Sequence, residues 1–207
     1  MAHLVDGVVA WPVLLGGTAL AAGGLAIGCR RLELERIPQA ALLSAAFFVV
    51  SLVHVPVGPW GMHPLLNGLL GILLGWAAFP AIFVALLLQA TCFGVGGITV
   101  LGVNTVALAA PAVIVHALFA RRLERGSRAV WGAAAGASAV VMTALLLALA
   151  LALSGREFRP AAALMLAAYL PLAAIEAALT ATVAAYLGRV KPALLAGPAV
   201  LAQGRDA

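Results

Sequence analysis

The sequence predicts an all-α fold: a polytopic bundle of transmembrane helices. Three observations predict it. Hydrophobic residues make up 65% of the 207 and charged residues only 9%, against about 25% charged in an ordinary soluble domain. The mean hydropathy is +1.15, more apolar surface than one water-soluble core can hide. The apolar residues also run in long stretches, near 8–29, 38–53, 65–93, 103–120, 129–154 and 161–187. The formal charge of +5 would suggest nucleic acid in a soluble protein. Here the Lys and Arg lie in short loops and follow membrane topology instead.

The first two stretches are separated by Arg30, Arg31 and Arg36. The third is 29 residues long, more than the ~20 needed to cross ~30 Å of hydrocarbon. Its middle, Gly75-Trp76-Ala77-Ala78-Phe79-Pro80, predicts a break between two shorter helices. The fourth ends in Arg121, Arg122, Arg125 and Arg128, and Arg156 and Arg159 separate the fifth from the sixth. Arg189, Lys191 and Arg205 follow the sixth. With seven spans and the amino terminus outside, three clusters holding ten of the twelve basic residues face the cytoplasm. With six spans the clusters fall on opposite sides whichever way the chain inserts. The positive-inside rule therefore favours about seven spans, with the carboxyl terminus in the cytoplasm. The expected organisation is one integral domain in the cell's inner (plasma) membrane: an extracytoplasmic segment 1–7, a bundle over 8–188 and a cytoplasmic tail 189–207. Cys29 then lies near the inner face and Cys92 near the outer one, so a disulfide is not supported.

This topology gathers an unusual set of segments outside. His3 and Asp6 are there, as is the loop from His54 to Pro64, which holds His63 and no Lys or Arg. The Gly-rich run Gly94-Val-Gly-Gly-Ile-Thr99-Val-Leu-Gly102, leading into Asn104, joins them. Irregular backbone is tolerated at membrane depth only when buried in protein or lining a cavity, so the outer half of the bundle is the candidate site. His63 precedes Pro64, a residue suited to a first helical turn, which places His63 at the mouth of a helix. A helix amino terminus disfavours imidazolium and keeps the ring able to ligate. The plainer reading of His63 is an interfacial histidine bonded to a loop carbonyl. For His3 it is a polar chain end.

Close to a free amine, His3 is a chelating residue. If Met1 is retained, its amine, the amides of Ala2 and His3 and the His3 ring offer four nitrogens. If Met1 is removed, the Ala2 amine, the His3 amide and the His3 ring offer three, and His63 supplies a fourth. Nitrogen donors in a plane suit Ni(II) or Cu(II), and imidazole is acceptable to Co(II).

Four stretches carry a resemblance. His3-Leu-Val-Asp6-Gly7, Pro56-Val-Gly-Pro-Trp-Gly-Met-His63, Gly96-Gly97-Ile-Thr99-Val-Leu-Gly102-Val-Asn104 and Ala174-Ile-Glu176-Ala-Ala-Leu-Thr180 resemble, in this order, the CbiM/NikM family. Those proteins are the substrate-binding membrane subunits of energy-coupling factor transporters for cobalt and nickel. The resemblance implies a seven-helix bundle with its amino terminus tucked into the outer face. It implies a Co2+ or Ni2+ substrate held by the amino-terminal amine (Met1 or Ala2), the amide and ring of His3, and His63. It also implies partners: a transmembrane coupling subunit, cytoplasmic ATPase subunits and a small accessory membrane subunit. Two departures stand out. The usual family start is Met-His, whereas Ala2 intervenes here, and the loop before His63 reads Gly-Pro-Trp-Gly-Met where many relatives are Ser/Thr-rich.

Other polar residues are assigned supporting roles. Asp6, Thr99 and Asn104 are expected to shape the outer loops around the metal ligands. Glu176, well inside the last stretch, is a functional candidate by position, with a hydrogen bond or ion pair to a neighbouring helix as its plainer role. His116 reads as a packing histidine toward the inner face, Gln89 as an unassigned buried polar group, and Gly71 and Gly75 as a close-packing pair. There is no His-Glu-x-x-His pair and no phosphate loop, so the chain reads as a transporter subunit without an ATPase of its own, and no cofactor is expected. The competing readings are a vitamin-binding subunit of the same transporter class and a structural or assembly membrane protein without substrate.

Overall fold

The computed structural model describes residues 3–53, 55–57 and 60–195. Met1, Ala2, His54 and the tail beyond residue 195, Arg205 included, lie outside the described residues. Among the described residues seven α-helices follow one another: α1 (Trp11–Arg30), α2 (Ile37–Ser51), α3 (Asn67–Leu74), α4 (Ala78–Phe93), α5 (Leu101–Arg125), α6 (Arg128–Ser154) and α7 (Arg159–Val190). Between α2 and α3 a small antiparallel hairpin pairs β1 (Val55–Val57) with β2 (Trp60–Met62), Pro56 lying opposite Gly61. Counted by length and composition, six helical segments can cross a bilayer, with α3 and α4 taken together as Asn67–Phe93.

That segment is not one rod. At Gly75 the backbone takes φ 57°, ψ −124°, a conformation open to glycine and costly for residues with a Cβ. The 3₁₀ turn Gly75–Ala77 follows, and the chain reverses. On the way in, Gly71 of α3 lies against the backbone of Ala112 in α5, and Gly75 lies beside the His116 ring. On the way out, Phe79 and Pro80 of α4 fit against Gly24 and Gly28 of α1. Farther along α4, the Ser44 hydroxyl of α2 donates to the Ala81 carbonyl (2.7 Å), and Gln89 donates to Ser51 Oγ (2.7 Å). The break falls inside the Gly75–Pro80 run that the sequence marked. This segment therefore runs in along α3 and back out along α4, the half-length α3 being extended by the non-helical residues before it.

Most of the arginines collect at one face, Arg156 and Arg159 between α6 and α7 lying at the other. Arg31 lies over the Trp76 ring at 5.3 Å, and Arg36 Nη2 donates to the Leu73 carbonyl (2.7 Å), both at the α3–α4 break. At the same face Arg128 donates to the Gly188 carbonyl (2.6 Å). Such contacts satisfy helix-end carbonyls with cations. The opposite face holds the amino-terminal segment, whose Ala10 amide donates to Ser154 Oγ at the end of α6 (3.0 Å). Cys29 and Cys92, both free and exposed, end α1 and α4 at these two different faces.

One expectation is corrected. Pro64 does not open a helix: residues 63–66 are non-helical and α3 starts at Asn67, after Leu66 in the left-handed region at φ 48°. The reason is the destination of the local amides. Leu65 and Leu66 give their N–H groups to the Glu176 carboxylate of α7, Leu66 at 2.8 Å, and not to a helical turn.

The centre of the bundle is packed through small residues. A Cβ at Gly136 of α6 would lie 2.5 Å from the Glu176 carbonyl oxygen and 2.7 Å from Thr180 Oγ1 of α7. One at Gly68 of α3 would lie 2.7 Å from Gly136 Cα. Where lipid removes the hydrophobic drive between helices, this close approach supplies the dispersion energy that holds them together. Around it pack Leu65, Leu70, Leu108, Leu147, Leu172 and Tyr169, all but inaccessible. Gly136→Val is expected to lower the thermal midpoint of the detergent-purified protein, at a cost of about 1–3 kcal/mol from overpacking. Gly16→Val, where a Cβ meets nothing within 4 Å, is expected to leave the midpoint nearly unchanged.

Candidate metal site

The amino-terminal segment before α1 is non-helical, so its backbone groups need partners from elsewhere. Asn104, one turn into α5, supplies two: the Leu4 amide donates to its Oδ1 (3.1 Å), and its Nδ2 donates to the Leu4 carbonyl (3.0 Å). A carboxamide used this way stands in for a neighbouring strand. Two residues on, Asp6 Oδ1 accepts the amides of Thr99 (3.1 Å) and Val100 (3.3 Å) as well as the Thr99 hydroxyl. The Thr99 hydroxyl, helped by these amides, holds the Asp6 carboxyl below its ordinary range. Gly97, at φ +146°, has no room for a Cβ, because the Asp6 carboxylate occupies that space.

These two attachments carry His3 into the protein. Its exposure is 7%, and that of His63 is 1%. The two rings meet with centroids 4.7 Å apart and planes tilted by 51°. Neither ring nitrogen of His3 has a hydrogen-bond partner among the described residues. His63 Nδ1 lies 3.1 Å from the Pro64 carbonyl oxygen. If Nδ1 carries the proton it donates there, and Nε2 becomes the lone-pair nitrogen. Burial, with the neighbouring His63, pushes the His3 imidazole down to about 3. Gln89 of α4 draws it the other way without closing a full hydrogen bond, its Oε1 being buried and unpartnered. His3 is therefore a neutral imidazole at physiological pH, the form able to bind a metal.

Among the described residues no three His, Cys, Asp or Glu side chains are grouped so as to hold a metal ion. A metal held by His3 and His63 would need further donors from the main chain, from solvent or from residues outside the described ones, which include Met1, Ala2 and His54. Of the residues singled out in the sequence, the structure brings together His3 and His63, with Asp6, Thr99 and Asn104 tying the amino-terminal segment to α5. It does not bring His116, whose Nδ1 lies 3.1 Å from the Gly71 carbonyl oxygen on the way to the arginine face. Gln89, left unassigned by sequence, lies next to His3. Its signal was a lone carboxamide in an apolar stretch.

The family profile described as the cobalt uptake substrate-specific transmembrane region matches residues 3–194. The chain belongs to the CbiM family. A Haemophilus influenzae relative, provisionally named a metal transport protein, is 42% identical over 198 residues, spanning 93% of this chain and 96% of its own. The cobalt transport protein CbiM of Sorangium cellulosum is 32% identical over 212 residues, spanning 93% and 94%. The fused nickel transport protein NikMN of Rhodobacter capsulatus is 36% identical over 190 residues, 81% of this chain but 55% of that longer protein. A crystal structure of a truncated transition metal transporter superposes with a TM-score of 0.77 at 25% identity, covering 89% of this chain and 97% of the other. With six apolar segments of membrane-crossing length, this CbiM-family chain is a multi-pass membrane protein.

The Asn104 clamp generates a measurable expectation. Asn104→Leu removes both bonds to Leu4 and leaves that buried backbone unsatisfied, a cost of about 1–3 kcal/mol. Hydrogen exchange at the Leu4 amide is expected to accelerate at least about tenfold, with amides in the middle of α6 unchanged.

Proposed function

We propose that this chain is the substrate-specific membrane subunit of an ATP-driven energy-coupling factor transporter, and that it captures Co2+ or Ni2+ from outside the cell. The observation that carries this reading is the buried pair His3 and His63, with ring centroids 4.7 Å apart and both His3 ring nitrogens without a hydrogen-bond partner among the described residues. The donor set is the free amine at the chain's start, a main-chain amide nitrogen, the His3 ring and the His63 ring. Four nitrogens at close range suit d8 Ni(II) in a plane, and imidazole with an amine also serves Co(II). The relatives named above support the choice of metals, since they are cobalt and nickel transport proteins by name.

The amino-terminal face is read as extracytoplasmic, because the opposite face collects most of the arginines. On this reading residues 1–207 form one integral domain in the inner membrane. The tight, buried site fits capture rather than conduction, since a channel ion must leave as readily as it enters. Energy then comes from partners: a transmembrane coupling subunit, cytoplasmic ATPase subunits and a small accessory membrane subunit. Asp6, Thr99 and Asn104 act by holding the amino-terminal segment in register, which lets His3 reach His63.

Calorimetry on the purified protein is expected to show tight Ni(II) or Co(II) binding that His3→Ala abolishes and His63→Ala weakens at least about tenfold. Extending the amino terminus by a few residues is expected to abolish it too, by removing the amine. Unchanged binding by His3→Ala and by the extended chain would sink the proposal. Amino-terminal mass spectrometry of the native protein then decides whether the donor set begins at Met1 or Ala2.

The sign of the pH dependence follows from the donors. Metal binding displaces protons from the amine and the amide, so affinity rises with pH and falls in acid. The His3 ring, held near 3, adds nothing to that slope above about pH 5. Affinity measured from pH 6 to 8.5 is therefore expected to climb through the amine range near 8, with no step contributed by the His3 ring.

A further inference from the structure

Glu176 is the most deeply placed carboxyl group in the chain. It sits eighteen residues into α7, fully inaccessible, in a helix whose neighbours are almost all apolar. Such a group is costly in a membrane bundle and persists where it does something. Its Oε1 accepts two consecutive amides, Leu65 and Leu66, which belong to the three non-helical residues joining His63 to α3. Oε2 has no hydrogen-bond partner among the described residues, so the carboxylate's visible connections all go to this connection.

The geometry of the connection explains why a carboxylate is there. Leu66 holds a left-handed backbone at φ 48°, which costs a branched residue about 1 kcal/mol or more. That twist turns two successive amides toward one point, and a single carboxyl oxygen satisfies both. From the first of these amides to His63 is only two residues, and Pro64 between them removes one freely turning φ angle. His63 itself is 1% exposed.

We propose that Glu176 is a positioning residue for the metal: from the middle of α7 it fixes the depth and direction at which His63 meets His3. The inference rests on the reading of His63 as a ligand. Glu176 acts through the backbone of Leu65 and Leu66. Residues that orient ligands from behind typically change metal affinity 10–100-fold when mutated.

A double-mutant cycle on the full-length purified protein tests it, with Ni(II) as the probe and calorimetric Kd as the readout. Glu176→Ala is expected to weaken binding about 10–100-fold in the parent, yet less than about twofold when His63→Ala is already present. The Ni(II) absorption spectrum of Glu176→Ala is expected to match that of His63→Ala. Equal losses in both backgrounds would show that Glu176 merely supports the bundle, and would overturn the inference. A His63→Ala variant that binds as tightly as the parent would instead overturn the ligand reading beneath it. Glu176→Gln keeps the shape and one acceptor oxygen but loses the charge. It is expected to fold and to lose about three- to tenfold, again only with His63 present, and parent-level affinity in this variant counts against the proposal whether or not Glu176→Ala folds.

Discussion

Backbone that is not helical can lie inside a membrane bundle only if protein atoms take its hydrogen bonds. This constraint shapes the whole amino-terminal half of the face that carries His3. Residues 3–10 and the connection 63–66 are among the segments that break the helical rule there. In each, a polar side chain reaching across from a helix takes up main-chain hydrogen bonds, Asn104 at Leu4 and Glu176 at Leu65 and Leu66. Both side chains are buried, so neither bond competes with water. The remainder of the fold, from the glycine contacts of α6 and α7 to the break at Gly75, is what brings those two helices to the right distance.

The two histidine-bearing segments are held differently. His3 hangs from a strand-like clamp at one end and from the Asp6–Thr99 contact at the other, both on the approach to α5. His63 is fixed from below, through amides given to α7. Their rings thus meet across elements that are far apart in the chain, α5 and α7, and the meeting depends on the bundle being closed. A fault in helix packing at Gly136, which lies against Glu176, would reach the ring pair without touching either ring.

Much of this was legible in the sequence, and the physical reasons differ by element. Charge and hydropathy marked the spans because charge is costly inside the hydrocarbon layer, and the Gly75–Pro80 run marked the reversal because glycine admits the positive φ of the break and proline suits the first turn of the helix that follows. The arginine distribution placed His3, His63 and the Gly-rich run on one face. The beginning of α3 was misread at Pro64, because proline statistics describe a local preference while the Leu65 and Leu66 amides answer to a carboxylate 110 and 111 residues away. For the same reason Glu176 was expected to bond a helix and instead bonds an irregular connection. Gln89 beside His3 was invisible, since nothing in a lone carboxamide says which way it faces across the bundle.

The shortness of α3 has an architectural consequence. Its 8 residues span about 12 Å, well under half of the ~30 Å hydrocarbon layer. A full-length helix there would fill the bundle's axis to the rim. Ending early leaves the length above Asn67 to irregular backbone, residues 63–66, and the amino-terminal segment reaches the same place, its His3 ring 4.7 Å from that of His63. Two imidazoles that are sixty residues apart in the chain thereby share a buried spot that a continuous helix would have filled.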